Sequence, residues 1–411
     1  MSLRVAIAGG GAAGFFAAIA CAEADPKAEV SIFERGPEFL TKVRISGGGR
    51  CNVTHGLFDP RIFATRYPRG ARQLIPVLHR FSAADTVAWF EQREVPLKTE
   101  EDGRMFPITD SSRTIVDCLL NAARAAGVRM WTRRGVDSVR PAGDGGFELT
   151  TNGRKIHSDR VLLATGGCRS LSAAELARSL GHTIEPPVPS LFSLHVQSAW
   201  LRPLPGVSVA DVEVSVEKLR ERGALLITHR GVSGPAILRL SAWGARLLHS
   251  LNYRFRLTVN WTPRLSETGL RDEFQARRNT NPNQRVAHST IANLPSRLWA
   301  ALVANADIPP TITWTKLSRS ETNNLIRQLR TTELTVDGKS LNKDEFVTCG
   351  GVCLREVNFK TMESRIVPGI YFAGELLDVD GITGGFNFQA AWATGWIAGR
   401  ALARGAAGGI S

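Results

Sequence analysis

The run Leu3-Arg-Val-Ala-Ile-Ala-Gly-Gly-Gly-Ala-Ala-Gly14 constrains this chain more than any other segment. An apolar stretch ends on glycines at 9, 11 and 14, and an Ala-rich stretch follows. A second apolar stretch, Val30-Ser-Ile-Phe-Glu34, closes on an acid 20 residues after Gly14. Strand, glycine turn, helix and second strand make the βαβ unit that seats a dinucleotide. Each position has a mechanical reason. Gly9 permits the tight turn, Gly11 lets the backbone approach a pyrophosphate, and Gly14 lets helix and strand pack closely. The helix amides, with Ala12 and Ala13 in the first turn, stabilise the diphosphate, and Glu34 accepts from ribose hydroxyls with Arg35 beside it.

The far end of the chain decides which dinucleotide. Pro368-Gly-Ile-Tyr-Phe-Ala-Gly-Glu375 reads as a last strand, and the Gly-rich Gly381–Gln389 leads into an apolar helix over 390–403. A helix so placed directs its N-terminus at the pyrimidine ring of a flavin, where dipole and free N–H groups stabilise negative charge. An NAD-only dehydrogenase has no need of this return. Arg160-Val-Leu-Leu-Ala-Thr-Gly-Gly167, an apolar strand closing on Ala164, Thr165 and Gly166, is a further mark of the FAD fold. The expected cofactor is FAD, bound non-covalently.

The 411 residues suffice for two or three domains, with 43% hydrophobic and 22% charged residues. No apolar run reaches the roughly 18 residues that span a bilayer. The dinucleotide strand begins at residue 3, so a cytoplasmic location is expected. Six scattered cysteines fit reduced thiols and give no zinc spacing, so no metal site is expected. The formal net charge of +13 comes with far more Arg than Lys. One reading is a general Arg bias giving a solvated surface. The other is an anionic macromolecular partner such as RNA, or a membrane surface.

The pattern predicts an α/β chain with a Rossmann-like, discontinuous FAD domain over 1–188 and 348–411. Into it are inserted a β-barrel-like domain over 189–263, returning over 331–347, and a small helical domain over 264–330. The first part contains a helix over Ser111–Ala126 and a β-meander beginning near Val136. The helical insert is locally basic, with ten Lys/Arg against five Asp/Glu over 264–330. Gly405–Ser411 reads as a frayed tail.

Three further blocks carry a family resemblance. They are Lys42-Val-Arg-Ile-Ser-Gly-Gly-Gly-Arg-Cys-Asn52, Leu225-Leu-Ile-Thr-His-Arg-Gly-Val-Ser-Gly-Pro-Ala236, and Thr348-Cys-Gly-Gly-Val352 with Lys360-Thr-Met-Glu363 and Pro368–Gln389. Together these resemble the BaiN/YhiN-like, aminoacetone-oxidase-like flavoprotein family over the whole length. The resemblance implies a discontinuous FAD domain carrying barrel-like and helical inserts. It also implies an activity among reduction of conjugated steroid double bonds, amine oxidation, and reduction of a uridine in ribosomal RNA by the RdsA-like branch. The segment Cys168-Arg-Ser-Leu-Ser-Ala-Ala-Glu175 departs from the family by being shorter. What that loop contributes to substrate choice does not carry over.

Expected cofactor contacts are Gly9, Gly11, Ala12, Ala13, Gly14, Glu34, Arg35, Lys42, Ser46, Gly47, Gly48, Arg50, Cys51, Asn52, Val136, Ala164, Thr165 and Gly166. Gly374, Glu375, Gly385, Asn387, Phe388 and Gln389 complete them at the far end. Consecutive glycines bring amides against the ring or pyrophosphate, and Arg50 adds fixed charge. Reducing a conjugated double bond needs a proton beside the hydride. Cys51, or His229 on the insert, is the candidate acid; a buried packing thiol and an ordinary loop histidine are the alternatives. Arg61, Arg66, Arg69 and Arg72, interleaved with Tyr67 and lacking any acid between Asp59 and Asp85, form a candidate RNA contact. A solvated helix face with its aromatics turned inward is the other reading of that stretch. No second glycine fingerprint occurs in the insert, so NAD(P)H is expected as a transient donor over the flavin. The favoured acceptor is a uridine in large-subunit ribosomal RNA, followed by a small conjugated enone and then an amine. Oligomeric state is not legible.

Overall fold

The computed structural model describes residues 2–143, 145–168, 171–340 and 347–404. The tail 405–411 and residues 169–170 of the shortened loop lie outside the described residues. The chain forms two compact units: Met1–Pro189 with Asn342–Ser411, and Ser190–Leu341.

In the first unit, β1 (Arg4–Ala8) leads through the glycine turn into α1 (Ala12–Ala24), and β2 (Glu29–Phe33) pairs parallel with β1. Further along come α2 (Thr41–Gly49), β3 (Arg129–Trp131), the meander β4 (Val136–Pro141), β5 (Phe147–Thr151) and β6 (Arg154–Ser158), and then β7 (Arg160–Leu163). The chain returns to this unit through β8 (Ile370–Phe372) and α3 (Phe386–Arg404). In the central sheet β8, β7, β1, β2 and β3 lie side by side, all parallel, with β3 at one edge. Short antiparallel strands at 357–358 and 363–364 extend the other edge.

Helix α1 is apolar on every side, and residues 12–22 are all buried. Alanine favours the helix and, having no side chain beyond Cβ, lets a neighbour come close. That neighbour is α3. A Cβ placed on Gly395 would lie 2.5 Å from the Ala13 carbonyl oxygen, and one on Gly399 would lie 2.3 Å from that of Ala17. The first and last helices therefore meet backbone to backbone. Around them Phe16 packs against Phe81, Trp89, Phe90 and Trp392. The last helix starts at Phe386, four residues before the apolar run announces it, so its first turn includes Asn387 and Phe388.

The second unit is built on a closed barrel of strands 194–197, 231–233, 219–228, 208–216, 255–260 and 332–339, in that order. Alternate residues such as Val212, Val214 and Val216 fill its interior. Three helices, 267–280, 296–305 and 319–330, lie between the fifth and sixth barrel strands around buried Phe274, Trp299 and Trp314. The third begins at a capping box of Ser318 and Glu321. Among the described residues, no helix is long and apolar enough to cross a membrane.

Candidate flavin site

At the carboxyl ends of β1, β2 and β7 the backbone turns as a dinucleotide requires. The Gly9 N–H donates to the Phe33 carbonyl at 2.9 Å, and the Ala164 N–H donates to that of Ala8 at 2.8 Å. The three fingerprint glycines serve three different ends. Gly9 has φ +113°, and a Cβ there would lie 2.2 Å from the Ala164 oxygen. At Gly14 a Cβ would lie 2.0 Å from the Gly9 oxygen. At Gly11 a Cβ would meet nothing within 4 Å. Two glycines are there for packing, and one leaves open space over the helix N-terminus, which is the shape a diphosphate fills.

Glu34 fixes this turn. One carboxylate oxygen accepts from the Gly10 N–H at 2.8 Å and the other from the Gly36 N–H at 2.7 Å. Each oxygen keeps a further lone pair for a ribose hydroxyl. Arg35 reaches the carbonyl of Val136 and the carboxylate of Asp137, at 3.0 and 3.3 Å. Two further glycine positions are open: Gly48 and Gly166 have φ near +68° and +80°, and a Cβ on either would meet nothing within 4 Å. Thr165, between Ala164 and Gly166, has a buried hydroxyl with no hydrogen-bond partner. An orphaned hydroxyl beside open glycine backbone is what a polar ligand would satisfy. The residues present therefore fit FAD.

At the far end Glu375 accepts from the Thr348 N–H at 3.0 Å and pairs with Lys42. Gly374 has φ +71°, and a Cβ there would crowd Ala13 at 2.9 Å. The Asn387 side chain is clipped to both polar atoms of the Gly381 backbone, at 2.8 and 2.9 Å. Phe388 stacks on Trp392. The hydroxyl of Ser46 donates to the Val43 carbonyl, and Gly47, at φ +57°, lies close to Asn52. With its oxygen turned to the Gly385 N–H, the Asn52 amide also reaches the carbonyls of Thr54 and Met105. Asn52 thus ties the non-helical glycine end of α2 to the glycine turn before α3.

Several expected roles are corrected. Gln389 is wholly buried, its oxygen accepts from Thr54 and Thr86 at 2.7 and 2.8 Å, and its nitrogen donates to Phe81. It holds the helix start from behind and does not face a ligand. Arg50 does not offer free charge. It pairs with Glu100 at 2.6 Å and Asp110 at 3.4 Å and lies over the Phe106 ring. Cys51 is 0% exposed, and burial pushes its thiol up to about 12 although the Ser46 hydrogen bond opposes this. It is a packing residue at φ +61°, not a proton donor. Tyr67 is 1% exposed and its hydroxyl donates to the Phe386 carbonyl at 2.6 Å, so its ring cannot stack on a base. Arg69 binds the buried carboxylate of Asp380. Arg61, Arg66 and Arg72 remain exposed. His229 lies exposed in the two-residue turn between barrel strands of the second unit.

One residue escaped the sequence reading. His55 stacks on Phe386 with centroids 4.9 Å apart, and its Nε2 lies 3.1 Å from the Asp102 carbonyl oxygen. Its Nδ1 is buried without a partner. Burial holds its pKa below the usual histidine range, with Arg66 adding to the effect. The only signal in the sequence was its place three residues after Asn52.

The profile of the HI0933-like protein Rossmann domain matches residues 3–401. The chain is 32% identical to the 3-dehydro-bile acid delta(4,6)-reductase of Clostridium scindens, over 97% of this chain and 99% of that one. It is 31% identical to the ribosomal RNA dihydrouridine synthase of Escherichia coli, over 95% of each. A solved 3-ketosteroid-delta4-(5alpha)-dehydrogenase from Rhodococcus jostii RHA1 shares the fold, with a TM-score of 0.53 at 16% identity, covering 98% of this chain and 97% of that one. The site and these relatives make the protein an FAD-dependent oxidoreductase. By the match over 3–401, and in keeping with its BaiN/YhiN-like motifs, the chain belongs to the HI0933-like Rossmann-domain family.

Proposed function

We propose that the protein is an NAD(P)H-driven reductase of a carbon–carbon double bond conjugated to a carbonyl, with a uridine of large-subunit ribosomal RNA as its acceptor. One observation carries the reading. Two relatives of nearly equal identity, matched almost end to end, bear names for two such reductions on very different substrates. The chemistry is common to both, and the substrate is what varies.

For the RNA acceptor speak the net charge of +13 and the exposed Arg61, Arg66 and Arg72. The small enone is the second reading, favoured by the bile acid reductase at 32% identity. The cofactor is held by the segments 1–188 and 348–411, in the cytoplasm where ribosomal RNA is found. Bound FAD supplies the hydride chemistry. The chain's part is to seat the diphosphate at Gly11 and on the α1 amides, and to give Thr165 a partner. The first turn of α3 stabilises negative charge on the ring. His55 is the titratable group of the first unit best suited to exchange a proton, because one ring nitrogen is anchored and the other unspent.

Two measurements test this. Anaerobic NADPH or NADH should bleach the oxidised flavin band; reduction by aminoacetone alone would replace the reading with an amine oxidase. Mass mapping of ribosomal RNA from a strain lacking the gene should show a dihydrouridine lost, and restored with the gene. An unchanged profile together with turnover of a steroid enone would move the acceptor to the small molecule.

A further inference from the structure

The first unit has a concavity that the flavin chemistry does not use. Strands β2 and β3 form its floor and the β5–β6 hairpin its wall, and its volume is about 540 Å³. Four cations line it, Arg129, Arg134, Arg154 and Lys155, and no carboxylate does. Two of them are balanced at the rim: Arg129 pairs with Glu29 and Lys155 with Glu148, each at 3.0 Å. Arg134 and Arg154 have no carboxylate partner among the described residues.

Two further features separate this cavity from an ordinary basic surface. Trp131, on the edge strand, is 38% exposed, an unusual state for the largest apolar side chain, and the Arg134 guanidinium lies over its ring at 4.3 Å. Thr151, which also lines the cavity, is 4% exposed, and its buried hydroxyl has no hydrogen-bond partner. An indole and a guanidinium plane both stack on nucleobases, cations at the wall take phosphate, and an unspent hydroxyl takes a polar edge.

We propose that this cavity binds a nucleotide. Its base stacks on the Trp131–Arg134 layer, and its phosphate is held by Arg154 and Lys155. The flat layer selects against inorganic anions and aliphatic acids, which have no π-face. Gly9, Gly11, Gly14, Glu34 and Thr165 take no part in the lining, so this is a second site and not the cofactor cradle. Occupancy of this cavity does not depend on which acceptor the flavin reduces. A nucleotide arrives here either free or as one residue of an RNA strand, and the chemistry of recognition is shared.

The test uses the purified flavin-loaded protein and two probes: AMP, followed by calorimetry, and a fluorescein-labelled single-stranded RNA of about ten nucleotides, followed by anisotropy. Trp131→Ala should weaken binding about tenfold, the effect of losing one stacked base. The pair Arg154→Gln and Lys155→Gln, at the exposed start of β6, should weaken it without touching the fold. AMP binding that displaces the RNA identifies a free nucleotide as occupant; RNA binding alone, lost in the same variants, identifies a strand. Substituting Arg61, Arg66 and Arg72 should leave AMP binding unchanged. Wild-type binding of the probes by both variants, or failure of both probes to bind the wild type below millimolar concentration, overturns the proposal.

Discussion

Arg69 donates through Nε to one carboxylate oxygen of Asp380 at 2.5 Å and through a second guanidinium nitrogen to the other. Asp380 is 0% exposed, so the pair joins the basic segment to the turn before α3 inside the unit. Arg69→Gln should take the bidentate cation away from this buried carboxylate, at a cost of about 3–5 kcal/mol. The melting temperature should fall and flavin should be lost with it. Changing Arg61, Arg66 and Arg72 to Gln should leave the melting temperature near wild type. Affinity for single-stranded RNA should then drop across all sequences, and its salt dependence should become shallower by roughly 0.7 for each phosphate no longer neutralised. A triple variant that melts early would show that these arginines also support the fold.

The fingerprint glycines should separate binding from folding. Gly14→Ala drives a methyl into the Gly9 carbonyl, and Gly9→Ala drives one into that of Ala164 at a strained φ. Both should express poorly or melt early. Gly11→Ala meets nothing in the chain. It should fold and melt as apoprotein like the wild type, yet retain much less FAD through dialysis, as read at the visible flavin band.

Gln389 receives two hydroxyls in a fully buried setting. Replacing it by Leu leaves Thr54 without its acceptor and Thr86 with only the Ser82 carbonyl, at 3.2 Å, at a cost of about 1–3 kcal/mol. Denaturant titration should show that loss, while the oxidised flavin spectrum of the folded protein stays unchanged.

His182 gives a pH dependence of known sign. Its ring is buried, with Nδ1 at 3.1 Å from Glu356 and Nε2 at 2.9 Å from Ser364. Burial holds its pKa below 6.5 and outweighs the raising effect of Glu356. The native state therefore prefers the neutral ring. Its stabilising contribution is complete above the unfolded value and is lost as pH falls through the native one. His55, lowered by burial as well, acts in the same direction. The melting temperature should decline from pH 8 to pH 5.5, and His182→Gln should flatten that decline.

The cofactor fold was legible because its constraints are local. Gly9, Gly11 and Gly14 announce one turn, and Glu34 announces the end of the next strand. The roles of Gln389, Arg50, Arg69 and Tyr67 were not legible, because each is decided by a partner far along the chain or by burial. Arg69 and Asp380 are 311 residues apart. An arginine reads as solvated charge until the carboxylate it meets is known. His55 was missed for the converse reason: what marks it is an absent partner for Nδ1, and absence leaves no trace in a sequence.

The close crossing of Gly395 and Gly399 on Ala13 and Ala17 also sets a schedule for synthesis. Helix α1 leaves the ribosome well before its covering helix. At about 5–20 residues per second, the 361 intervening residues take roughly 18–72 seconds to emerge. Throughout that interval α1 can pack on Phe81, Trp89 and Phe90 but lacks the helix that closes over Ala13 and Ala17. The barrel unit, drawn from one continuous stretch of chain, has all its residues available earlier. The flavin cradle on α1 is therefore completed only after α3 has emerged.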